Sequence, residues 1–341
     1  MGGPLGPKAK LNYQESVMVE VKNRILKVLL VIVVFVSLSL WVGFSSRRAA
    51  RKFKPTAARL ERGRYIVEGV AHCFECHSDV DWETPGGQPK AGWKGSGTEF
   101  TKYGFPWLVA PNITPDVETG AGTWTDEQFA RAIREGIGHD GRRLFPVMPY
   151  MYFRQMSDED LASVIVYVRS IEPVHNALPT TSIPEPVKAS LPPLQPINEP
   201  VPSPDLSKRG EYLVTLGGCS SCHTPWRNGG PITRMAFAGG TTFKGPWGEV
   251  NSANITPDPS GIGYYDEALF IKTLRTGHVG ARQLSSIMPW GYFRNMTDDD
   301  LKTIFAYLRT LPPVQHRVDN TEAPTDCSLC GKRHGHGDMN Q

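Results

Sequence analysis

The sequence predicts an all-α chain, in which two tandem copies of one helical domain follow an N-terminal transmembrane helix. Three observations carry this expectation. A C-x-x-C-H frame occurs at Cys73, Cys76 and His77 and returns at Cys219, Cys222 and His223. Longer stretches repeat around both frames. One uncharged apolar run lies near the start.

That run, "VLLVIVVFVSLSLWVGF", extends from Val28 to Phe44, with Ile25 and Leu26 ahead of it. Roughly 20 apolar residues span a bilayer. The following "FSSRRAARK" is a poor cleavage site, so an anchor over 25–45 is preferred to a removed leader. The flanking Lys and Arg favour the C-terminal side in the cytoplasm, but the paired-cysteine chemistry below argues the opposite, so residues 1–24 are expected to be the cytoplasmic segment. The body is expected in the periplasm, a single-pass arrangement at a bacterial inner membrane with one helix in lipid. The first 54 residues hold ten Lys and Arg against two Glu, which leaves 27 basic and 32 acidic residues in the body. An acidic body excludes nucleic acid as a partner and favours docking to a basic surface.

The body is a duplication. "RGRYIV" at Arg62 matches "RGEYLV" at Arg209, and "NITPD" occurs at Asn112 and at Asn254. "MPYMYFRQMSDEDL" from Met148 matches "MPWGYFRNMTDDDL" from Met288. The expected units are domain 1 over 56–174, a linker over 175–205, domain 2 over 206–315 and a tail over 316–341. Ten prolines fall between positions 173 and 204; they fix φ and remove donors, so this stretch is extended and semi-rigid.

Each copy reads as helical. Thr125 and Gln128 form a capping box, after which Phe129 and Ile133 share a face. Ser157 and Asp160 open a closing helix with apolar positions Leu161, Val164, Ile165, Val168 and Ile171. The second copy repeats this from Thr297 through Leu301, Ile304, Phe305, Leu308 and Leu311.

Paired cysteines at this spacing serve three chemistries. Zinc needs four ligands, and a redox dithiol needs no adjacent His. Covalent haem c uses both thiols on the porphyrin vinyl groups and the imidazole on the iron. Two copies at matching places favour two covalently bound haem c groups, held by Cys73, Cys76 and His77 and by Cys219, Cys222 and His223.

The sixth iron ligand decides what such a site does. Met156 and Met296 each precede a helix cap, where a hydrophobic staple explains them. Met148 and Met288 start Met-Pro-aromatic loops and are the favoured ligands, opposite His77 and His223. Histidine is the competing choice: His139 and His278 lie in the right region but do not align well between the copies. Trp107, Trp247, Arg154 and Arg294 match between copies and suit haem propionates, or equally packing and a solvated charge. His72 has no counterpart and is expected at the surface.

These frames, with "PNITPD", "GRRLFPVMPYMYF" and "MSDEDLASVIVYVRSIEPV", resemble the class I cytochrome c domains of multihaem membrane-bound cytochrome c subunits. Those subunits serve bacterial alcohol, aldehyde and gluconate dehydrogenases. The resemblance covers about 58–174 and 206–314. It implies two tandem class I cytochrome c domains, His/Met ligation and electron transfer from a partner toward a respiratory chain. Those subunits typically carry three haem domains and this chain two, so the partner stays open: a dehydrogenase, an oxidase, a quinol-oxidising complex or a photosynthetic reaction centre.

The main expectation is an electron-transfer protein in which no substrate bond is made or broken. The rival is a dihaem peroxidase, which needs one open iron position. A third reading is a fixed subunit of a larger complex. In the tail, Cys327 and Cys330 are not followed by His; with His334 and His336 they suit a disulfide or plain tail better than a metal site.

Overall fold

The first helix of each repeat begins at a side-chain cap. Thr56 accepts from the Arg59 N–H to open α1 (Ala57–Tyr65). A π-helical turn, Ile66–Val70, continues it into α2 (Cys73–Cys76). The chain is described by a computed structural model over residues 53–183, 205–227, 230–280, 282–318, 325–326 and 333–334.

Repeat one continues through two antiparallel ribbons, β1 (Val80–Asp81) with β2 (Gln88–Pro89) and β3 (Thr98–Glu99) with β4 (Val109–Ala110). Then α3 (Asp126–Glu135) starts at the full Thr125–Gln128 capping box. A four-residue α4 (Tyr150–Phe153) precedes α5 (Asp158–Val168), capped by Ser157. Repeat two follows the same order. It runs through α6 (Leu206–Leu216), α7 (Cys219–His223), α8 (Glu267–Thr276), α9 (Trp290–Phe293) and α10 (Asp298–Thr310). Its ribbons are β5 (Trp226–Arg227) with β6 (Gly230–Pro231), β7 (Thr242–Gly245) with β8 (Gly248–Asn251), and β9 (His278–Val279) with β10 (Arg282–Gln283). In the tail, β11 (Thr325–Asp326) pairs with β12 (Arg333–His334).

In each repeat the opening and closing helices cross at a glycine. A Cβ on Gly63 would lie 2.0 Å from the Ser163 carbonyl oxygen, and one on Gly210 would lie 2.0 Å from that of Thr303. Only a residue without a side chain lets these backbones approach so closely.

The two repeats share one hydrophobic core. It runs from Ile66, Phe74 and Ile165 to Leu213, Phe293 and Leu301 without a break. The polar contacts across the junction are reciprocal. Tyr212 donates to Asp160, and Tyr65 donates to Asp300. The Ser157 N–H donates to the Tyr212 oxygen at 3.0 Å, as the Thr297 N–H does to Tyr65 at 3.2 Å. Each repeat thus caps the closing helix of the other, the self-complementary pattern of a two-fold interface.

After α5 the chain is extended against repeat one. The Val174 N–H donates to Thr114 Oγ1, that of Asn176 to Thr119 Oγ1 and that of Ser182 to the Trp107 carbonyl. Residues 184–204 of the proline-rich stretch lie outside the described residues.

Two expectations are corrected. The fold is not all-α, because the glycine- and proline-rich connections pair into two-stranded ribbons. Such pairing satisfies backbone N–H and C=O groups that long loops beside a core would leave unpaired. The single-pass inner-membrane arrangement is also not supported. Among the described residues no helix is long and apolar enough to cross a membrane. The longest, α10, has 13 residues, against the roughly 20 required. The expected span at 25–45 lies outside the described residues.

Candidate functional site

Both C-x-x-C-H frames sit on a short helical turn directly after the opening helix, each entered through a left-handed residue. His72 (φ 37°) precedes Cys73, and Gly218 (φ 62°) precedes Cys219. One turn of helix sets the two sulfurs and the following imidazole on one side. All four thiols are free and partly buried. Burial pushes Cys73 and Cys219 up to about 12 and Cys222 up to about 11. It raises Cys76 further.

The imidazoles are oriented identically. His77 Nδ1 lies 2.9 Å from the Pro111 carbonyl oxygen, and His223 Nδ1 lies 2.7 Å from that of Ala253. A carbonyl only accepts, so Nδ1 carries the proton and the Nε2 lone pair is free for a metal. Burial lowers the pKa of both rings, keeping them neutral. This chemistry fits haem c: free thiols for attachment, and a neutral imidazole held by a backbone oxygen.

Met148 and Met288 are half-buried and pack against the shared core, each followed by a proline that caps a four-residue helix. Met156 and Met296 are almost wholly buried, as a staple position requires. The histidine alternatives are placed differently. His139 stacks on Trp124 with ring centroids 4.4 Å apart, and His278 Nδ1 contacts the Thr276 carbonyl.

The matched tryptophans and arginines do not stay equivalent. Trp107 packs in its own repeat against Phe105 and Phe145. Trp247 instead crosses to repeat one, 5.7 Å from Tyr103 in a stacked geometry and 4.7 Å from Trp82. Its Nε1 is buried and, with Ser285 Oγ, has no hydrogen-bond partner among the described residues. Such donors suit an acidic group. Arg154 is buried and donates to the Arg134 carbonyl at 3.1 Å, whereas Arg294 is exposed. Asn112 and Asn254 are consumed by loop bonds: each accepts from the N–H and the hydroxyl of a threonine two residues on.

Three residues escaped sequence reasoning. Tyr152 hydrogen-bonds Ser220, inside the frame of the other repeat. Its counterpart Tyr292 is buried within reach of Cys73, Glu75 and Cys76. His72 is not a surface residue; its side chain is 21% exposed and lies on the junction. Only the matching offset of Tyr152 and Tyr292 could have hinted at this exchange.

Two thiol-pair-and-imidazole turns on one core are the arrangement that covalent attachment of haem c requires. Residues 60–172, the first repeat, match the family described as Cytochrome c. The chain is 29% identical over 279 residues to the cytochrome c subunit of a quinone-dependent alcohol dehydrogenase of Gluconobacter oxydans, covering 75% of this chain and 55% of that one. It is 31% identical over 290 residues to a fructose dehydrogenase cytochrome subunit of Gluconobacter japonicus, covering 77% and 56%. A diheme cytochrome c-type protein of Cereibacter sphaeroides is 27% identical over 298 residues, covering 81% and 94%. The chain thus spans little over half the length of the dehydrogenase subunits it matches. The resemblance read from the sequence is borne out.

Proposed function

We propose that this chain is a dihaem cytochrome c that relays single electrons from a dehydrogenase-type partner toward a further acceptor. One observation carries the reading: in both repeats the imidazole beside the thiol pair has its Nδ1 proton committed to a backbone carbonyl. His77 and His223 would then hold an iron through Nε2, with Met148 and Met288 as the proposed thioether ligands. When bound, haem c supplies the one-electron ferric/ferrous couple.

The chain's own contribution is positioning. Cys73 and Cys76 tether one group and Cys219 and Cys222 the other. The shared core keeps the two turns together, with Cys76 near enough to Cys222 that ionising one thiol would oppose ionising the other. The likeness to a diheme cytochrome over nearly its whole length supports two groups. The names of the other relatives support a dehydrogenase complex as the donor.

Intact-mass measurement tests the stoichiometry, with two covalent haems expected; one or none overturns the reading. Adding carbon monoxide to the reduced protein separates the classes, because rapid binding at one site favours a dihaem peroxidase. Co-purification from native extract tests the partner, and recovery without any dehydrogenase subunit counts against that donor.

A further inference from the structure

His72 occupies a position that the second repeat gives to glycine. Its φ of 37° is one of only two positive values at non-glycine residues among those described. A Cβ is disfavoured there, and such an outlier points from strain toward function. Its ring makes two polar contacts. Nδ1 lies 2.7 Å from Glu75 Oε2, and Nε2 lies 3.3 Å from the Gly217 carbonyl oxygen. Both partners accept. A neutral imidazole has one N–H to give, so only the imidazolium satisfies both.

The contacts span the two sites. Glu75 stands between Cys73 and Cys76, and Gly217 directly precedes the residue that caps α7. The ring is further packed by Phe293, edge-on at 5.5 Å, and by Tyr292 at 6.3 Å. The charged and titratable surroundings are few. Glu75 comes from α2, α9 offers the Tyr292 phenol, which burial keeps un-ionised, and α6 offers a carbonyl. Glu68 on the π turn is engaged by Lys94 and Tyr167.

We propose that His72 is a positioning residue for electron transfer: as an imidazolium wedged between the two attachment turns, it holds them together and raises the reduction potential of the site built on Cys73, Cys76 and His77. This rests on the reading of two bound haems. The sign follows from Coulomb's law. Ferric iron carries one more positive charge than ferrous, so a nearby cation disfavours the ferric state. Without it, the Glu75 carboxylate stands alone and favours the ferric state. Burial opposes the charge on His72, but Glu75 and the Gly217 carbonyl outweigh it and its pKa lies above that of ordinary histidine.

The test is a potentiometric titration of the full haem-loaded chain between mildly acid and alkaline pH, as wild type, His72→Gln and His72→Gly. Glycine is what repeat two uses and relieves the left-handed backbone. In the wild type, one midpoint should fall as pH rises through the His72 pKa. Both variants should sit lower at neutral pH, by about tenfold in the ferrous/ferric ratio or ~59 mV, without that pH dependence. Two haems by intact mass with midpoints identical to wild type at every pH overturn this inference alone, and fewer than two in the wild type overturn the parent reading as well. A wild-type His72 ring found neutral at pH 7 by NMR overturns it without any variant.

Discussion

The Tyr212 phenol of the second repeat donates a 2.8 Å hydrogen bond to Asp160 of the first. Arg62, from the first repeat, grips the same carboxylate through two bonds of 2.8 Å. The mirror arrangement joins Tyr65 and Arg209 to Asp300. Each aspartate stands at the third position of a closing helix, where negative charge is favoured. The repeats are therefore joined through the helix ends that organise each of them.

Removing one of these phenols should weaken the whole protein. Tyr212→Phe leaves a buried carboxylate short of a donor, at a cost of about 1.5–3 kcal/mol. Tyr65→Phe should cost a similar amount. Denaturant unfolding followed by fluorescence and by haem absorbance checks this. Both probes should report one transition; two separated transitions in the wild type would show that the repeats unfold independently.

The junction should also be sensitive to alkali. Burial, then the hydrogen bond to and charge of Asp300, push the Tyr65 phenol up to about 12. Burial likewise takes Tyr103 to about 12. A raised folded pKa gives stability that is full below the unfolded value near 10 and is lost as pH climbs toward 12. Thermal unfolding between pH 8 and 12 should show this decline, and Tyr65→Phe should make it shallower.

Gly63→Ala and Gly210→Ala probe the helix crossings. Each new methyl would meet a carbonyl oxygen at 2.0 Å, which demands separation of the helices. Overpacking of this kind costs about 1–3 kcal/mol, sometimes more. A fall in melting temperature is expected for both. An unchanged value at either site would mean that the crossing is looser than described.

The methionines should divide by role. Met148→Ala and Met288→Ala should each abolish the methionine–iron absorption of one haem and lower its potential, since Met/His ligation raises it. Met156→Leu conserves volume at a buried staple, so it should cost under about 1.5 kcal/mol and leave both spectra intact. The reverse pattern would exchange ligand and staple.

Some of this was legible residue by residue. The Thr125–Gln128 box and the Ser157 cap mark helix starts through local chemistry, and both are present. The fixed offset between the Met148 and Met288 stretches exposed the duplication. The ribbons were missed because pairs such as Val80 with Pro89 rest on backbone bonds, which leave little trace in composition. His72 was misjudged because its partners include Gly217, 145 positions away.

By itself the sequence determined the two C-x-x-C-H turns, the repeat around them and the capped helices, since each depends on side chains a few positions apart. Only the tertiary structure decided that the two copies share a core, that Tyr65 and Tyr212 exchange aspartates, and that His72 lies between both turns. Those contacts depend on which surfaces meet once the helices pack, and spacing along the chain carries no record of that.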